Sequence, residues 1–115
     1  LNAVEIEQAI SDLAEQAFDA VSFPYAFLEA FGNKSTTIKR LQSGSSNASD
    51  IEGGVLQRSN IHMCVCAEGN VGTSLNSLKA SPTTSKAKAK FILATDGITL
   101  EAEDLATGET IACDY

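Results

Sequence analysis

The stretch Phe91-Ile92-Leu93-Ala94-Thr95-Asp96-Gly97-Ile98-Thr99-Leu100-Glu101-Ala102-Glu103 decides how this chain is read. Its first five residues are a short apolar run that stops at Asp96-Gly97, a strong signal for a tight β-hairpin. The residues after the turn alternate: Ile98, Leu100 and Ala102 fall on one side, Thr99, Glu101 and Glu103 on the other. That period of two marks a strand with one buried face. Thr107-Gly108 supplies a second turn, and Glu109-Thr110-Ile111-Ala112-Cys113 a final strand. The C-terminal end is therefore a β-meander.

Working back from it, Thr83 to Lys90 fits either a helical turn or an exposed lead into the strand. Asn70 opens a helix with Val71, Leu75 and Leu78 on one side, ending before Pro82. Ile61-His62-Met63-Cys64-Val65-Cys66 is apolar at nearly every position and reads as a strand buried on both faces. Val55-Leu56-Gln57 reads as a short strand. Residues 43–54 are a loop by composition, rich in Ser, Gly and Asn.

The first third is helical. Asn2 and Glu5 form a capping-box pattern, and Ile6, Ile10, Leu13 and Ala17 recur at helical spacing, which predicts a helix ending near Phe18-Asp19. A second helix starts at Ser22 with Pro24 early, where its missing N–H costs little, and stops at Gly32. A third begins after Ser35, with Ile38 and Leu41 inward and Lys39 and Arg40 outward. The expected fold is α/β (α+β): N-terminal helices, then a mixed, largely antiparallel sheet with a further helix. It is expected as a single domain over 1–115, helical over residues 1–42, a loop over 43–54 and a mixed sheet over 55–115.

At 115 residues and 12.1 kDa the chain has the usual size of one domain. No stretch reaches the roughly 18–20 apolar residues that cross a bilayer, and no targeting signal is visible, so the expected location is cytoplasmic. Its formal charge of −7 argues against a broad nucleic-acid-gripping surface. The charge is unevenly spread, however. Residues 1–33 and 91–115 each carry six acids and no base, and all eight bases lie between Lys34 and Lys90. Cys64, Cys66 and Cys113 are an odd number, which fits reduced thiols.

Few residues offer chemistry. His62, Cys64 and Cys66 alternate on one strand face and, with Cys113, would supply four soft zinc ligands. Positions two apart on an extended strand close poorly into a tetrahedron, so buried thiols and a hydrogen-bonded imidazole are the expected reading. Asp96, Glu101, Glu103 and Asp104 are the densest carboxylates, and the first three are the candidates for a divalent metal. A solvated hairpin face accounts for them more simply. Lys86, Lys88 and Lys90, with Lys79 upstream, form the one local basic cluster, able to meet phosphates.

Four stretches carry a family resemblance: Asn2-Ala3-Val4-Glu5-Ile6-Glu7, Phe27-Leu28-Glu29-Ala30-Phe31-Gly32-Asn33-Lys34, Gly54-Val55-Leu56-Gln57-Arg58, and Lys86 through Gly97. They resemble the start of large bacterial class I DNA methyltransferases of the MmeI-like, type IIL restriction–modification group. The resemblance implies an N-terminal domain of PD-(D/E)xK nuclease type, followed by adenine-methyltransferase and target-recognition domains. Such a nuclease needs an Asp on its first core strand and Glu-x-Lys on the second. Here those places read Val55-Leu56-Gln57 and Ile61 to Cys66, and no acid in the chain stands two residues before a Lys.

The resemblance therefore implies a degenerate, catalytically inactive nuclease-like piece of a larger protein, structural or DNA-contacting. DNA contact would fall on Lys79, Lys86, Lys88 and Lys90, with Lys39 and Arg40. No catalytic residue and no cofactor site is expected in this chain; S-adenosylmethionine is implied for the parent protein. The parent's remaining domains, and DNA through them, are the expected partners. Two alternatives stand beside this: a residual Mg²⁺-dependent endonuclease using Asp96, Glu101 and Glu103, or a standalone acidic interaction domain.

Overall fold

A computed structural model describes residues 3–15, 18–19, 22–30, 34–43, 47, 49 and 54–114. Three helices come first: α1 (Ala3–Leu13), α2 (Phe23–Ala30) and α3 (Ser35–Gln42). They are followed by β1 (Gly54–Gln57), β2 (Ile61–Val65), α4 (Val71–Ala80), α5 (Pro82–Lys86), β3 (Phe91–Thr95), β4 (Thr99–Asp104) and β5 (Thr110–Asp114). The fold is α+β. The five strands form one sheet in chain order, β1-β2-β3-β4-β5. Every neighbouring pair is antiparallel except β2 and β3, which run parallel because α4 and α5 carry the chain back between them.

Strand alternation sorts the side chains onto two faces. Val55, Ile61, Met63, Phe91, Leu93, Leu100, Ala102 and Ile111 point to one face and join Ile6, Ile10, Phe23, Phe27, Leu28 and Leu41 of the first three helices in the larger core. Full burial of an aliphatic or aromatic side chain there contributes about 1.5–3 kcal/mol. On the opposite face Cys64, Ile92 and Ala94 pack under Val71 and Leu78 of α4. The sheet is thus sandwiched between α1–α3 and α4–α5, and β2 and β3 are buried at almost every position, as the continuous apolar runs require.

The elements depart from expectation at a few ends. α1 stops at Leu13 rather than near Phe18-Asp19. Phe18 leaves the helical path to lie 5.7 Å from the Phe23 ring and over the backbone of Gly97 in the β3–β4 turn. Tertiary packing has overridden a continuous helical pattern here. The proposed Asn2 cap, Ala17 and the Gly32 stop lie outside the described residues. Of Thr83 to Lys90, the first four residues are helical in α5, with Pro82 at its first position, and residues 87–90 turn the chain into β3 without joining the strand. β4 begins one residue after Ile98, which is exposed in the turn. Within the 43–54 loop, Asn47 is bound firmly to the sheet. Its amide nitrogen donates to the Gly54 carbonyl and its oxygen accepts from Leu56 N–H, both at 3.0 Å.

Candidate functional site

The β1–β2 hairpin holds the two stretches, Val55 to Gln57 and Ile61 to Cys66, that the resemblance sets in the places of a nuclease's acids. Its register pairs Gly54 with Cys64, Val55 with Met63, Leu56 with His62 and Gln57 with Ile61. Cross-strand pairs on one face are the positions from which two strands can jointly hold a cation. Toward α4 those pairs are Gly54–Cys64 and Leu56–His62; toward α1–α3 they are Val55–Met63 and Gln57–Ile61. No carboxylate stands at any of them. Burial, and then Cys66, push the Cys64 thiol above its ordinary value, so it is a neutral core group rather than a thiolate ligand. Cys66 donates from Sγ to the Thr95 carbonyl.

Cys113 settles the four-ligand arrangement. It sits on β5 opposite Leu100 and packs with the larger core, whereas Cys64 and Cys66 pack with the α4 side. The sheet lies between them. All three cysteines are free.

His62 is fully buried and held at both nitrogens. The Thr84 hydroxyl donates to the Leu78 carbonyl (2.7 Å), so it accepts from Nδ1–H of His62 (2.8 Å). A neutral ring then offers Nε2 as the acceptor for the Ser49 hydroxyl, 2.7 Å away. This assignment of the ring proton follows from the network. The imidazole ties the loop before β1 to α5, and its Nε2 and Nδ1 are both occupied.

The carboxylates are dispersed. Asp96 accepts backbone N–H bonds from Thr99 (2.8 Å), Gly69 (3.0 Å) and Ile98 (2.9 Å). These amides, Thr99 foremost, hold its carboxyl down at about 2. Glu103 pairs with Lys79 at 3.1 Å and is only 14% exposed, while the lysine is 59% exposed. Glu101 lies beside Gly72 of α4. The solvated face expected for Glu101 and Glu103 is therefore partly roofed, because α4 reaches across β3 to β4. Among the described residues no three His, Cys, Asp or Glu side chains gather where a metal ion could be held.

The six candidate bases divide into three groups. Lys39 and Arg40 lie on the solvent side of α3, in the other helical layer. Lys79 is engaged with Glu103. Lys86, Lys88 and Lys90 line the connection from α5 into β3, all exposed. Sequence reading missed Arg58. It stands in the β1–β2 turn, and that turn is stitched to the lysine segment by Ser59 N–H to the Ala87 carbonyl (2.7 Å) and Lys90 N–H to the Asn60 carbonyl (2.7 Å). Arg58 is a lone base in sequence, and only the parallel pairing of β2 with β3 brings it to Lys86, Lys88 and Lys90.

The whole chain, residues 1–115, matches the family described as MmeI, N-terminal domain. The chain belongs to that family. No curated protein and no solved structure matches it at a significant level. Membership makes the chain a component of a restriction–modification protein. Two of the stretches that carry the resemblance, 54–58 and 86–97, are the ones that meet where Arg58 joins the lysines. No helix among the described residues of the domain is long and apolar enough to cross a membrane.

Proposed function

We propose that this MmeI N-terminal domain is a nuclease-like scaffold without cleavage activity, serving as a structural and DNA-contacting component of a DNA adenine methyltransferase. The observation that carries the reading is the β1–β2 hairpin. Where a PD-(D/E)xK nuclease would set an Asp against Glu-x-Lys, this hairpin sets Gly54, Val55, Leu56 and Gln57 against Ile61, His62, Met63 and Cys64. Apolar and thiol side chains cannot hold Mg²⁺ as carboxylates do. The metal-independent feature of a nuclease, a sheet that presents bases to phosphates, survives in Arg58, Lys86, Lys88 and Lys90.

S-adenosylmethionine belongs with the parent's methyltransferase domain on this reading. The β2–α4 turn, the one place among the described residues where a strand feeds a helix and then a parallel partner, does not suit a cofactor. Its Gly69 amide is already bound by Asp96.

The test is plasmid cleavage by the whole protein with Mg²⁺ or Mn²⁺. No nicking at high protein concentration is expected, with adenine methylation retained. Cleavage that disappears in Glu101→Ala would overturn the reading in favour of a metal site on Asp96, Glu101 and Glu103.

A further inference from the structure

We infer that the end of the sheet formed by Arg58, Lys86, Lys88 and Lys90 is a clamp for the phosphate backbone of duplex DNA, reading no sequence. This inference rests on the DNA-contacting role proposed above and assigns it to one place. Three independent features converge there.

The first is charge without a partner. All four side chains are exposed, and among the described residues none of them makes an ion pair or a side-chain hydrogen bond. Elsewhere on this side of the sheet Lys79 is already paired. The nearest acid on β4, Asp104, engages its carboxylate with the amides of Ala106 (2.9 Å) and Thr107 (3.3 Å) in the exposed turn that follows.

The second is backbone conformation. Only two described residues other than glycine have positive φ, Ser59 at 60° and Lys88 at 56°. They flank the same hydrogen bond, Ser59 N–H to Ala87 carbonyl. Lys88 closes α5 in the manner of a Schellman motif: its own N–H goes to the Ser85 carbonyl, and that of Ala89 to the Thr84 carbonyl, both at 3.1 Å. Glycine fits the left-handed position best, because it has no Cβ to crowd the carbonyl. A lysine there loses stability and gains no contact inside the chain. Strained positions of this kind concentrate where a side chain serves a ligand.

The third is the absence of apolar or aromatic surface. The exposed large hydrophobic residues among those described are Val4, on α1, and Ile98, in the turn at the opposite end of the sheet. A protein partner would want an apolar anchor, and single-stranded nucleic acid an aromatic platform on which bases stack. Bases standing among Ser59, Asn60 and Ser85 suit phosphates alone.

The experiment is a salt titration of whole-protein binding to a random-sequence duplex, followed by fluorescence anisotropy. The triple variant R58A/K86A/K90A should reduce the slope of log K against log salt by about 3 and weaken binding at low salt roughly ten- to hundredfold. Lys88→Gly, which relieves the backbone and so keeps the fold, should reduce the slope by about 1. Lys39→Ala with Arg40→Ala should leave the slope unchanged. An unchanged slope in the triple variant, with wild-type binding salt-dependent, overturns the clamp and leaves the broader reading standing. Wild-type protein without salt-dependent duplex binding overturns both. Tighter binding to a single strand of equal length, lost in the triple variant, overturns the duplex assignment.

Discussion

The two ends of the parallel pair β2–β3 use charge in opposite ways. At the C-terminal end, Asp96 commits its carboxylate to the fold: three backbone amides from two loops converge on it, and the turn it closes carries a glycine with φ of 86°. At the N-terminal end, Arg58, Lys86, Lys88 and Lys90 commit none of their side-chain charge to the fold, and a lysine occupies the left-handed position that glycine fills at the other end. The same problem, turning the chain at the end of a buried strand, is solved once in favour of stability and once against it. In a domain whose core is otherwise internally satisfied, the end that gives up stability is the place to seek function.

Substitutions at each end put this contrast to the test. The largest effect is expected at Gly97. A Cβ there would stand 2.7 Å from Cδ2 of Phe18 on a backbone that already disfavours side chains. Gly97→Ala should therefore cost about 3 kcal/mol, combining left-handed strain with overpacking, and urea denaturation will measure it. Lys88→Gly should move the other way, gaining about 1 kcal/mol in the same measurement while weakening duplex binding. A loss of stability in that variant would remove the contrast.

The smallest effect concerns acid. Asp96 titrates at about 2 in the fold against an ordinary 3.8, so it contributes fully above about pH 4 and that contribution is lost as pH falls toward 2. In Asp96→Asn that portion of the acid limb should flatten, with stability already lower at neutral pH. An acid limb identical to wild type would show that the amide bonds do not depend on the charge.

Much of this fold was legible in the chain because its signals are local. Asp96-Gly97 with alternation after it marked the β3–β4 hairpin, and the apolar run at Ile61 marked a strand buried on both sides. The helical spacing of Ile38 and Leu41 placed α3 with Lys39 and Arg40 outward, as found. What local pattern could not carry was anything set by packing between distant segments. α1 ends early because Phe18 is recruited by Phe23 and Gly97. Glu103 is covered because α4 extends over β4, which strand alternation alone describes as a wet face. Arg58 went unremarked because its neighbours lie 28 to 32 residues away in the chain. The carboxylates offered as a metal set are near one another in sequence, yet Asp96 is held at a strand end and Glu101 and Glu103 sit under a helix.

The side chain of Asn47 imitates the backbone of a sixth strand. By donating to the Gly54 carbonyl and accepting from Leu56 N–H, it occupies two of the outward-facing groups of β1 that an added strand would use. A single amide thereby obstructs that edge. β5, at the other margin, has no such cover among the described residues. Its outer rim is the template for lengthening the sheet, and a proline placed at the outward-facing positions of β5 would block such growth without touching the interior.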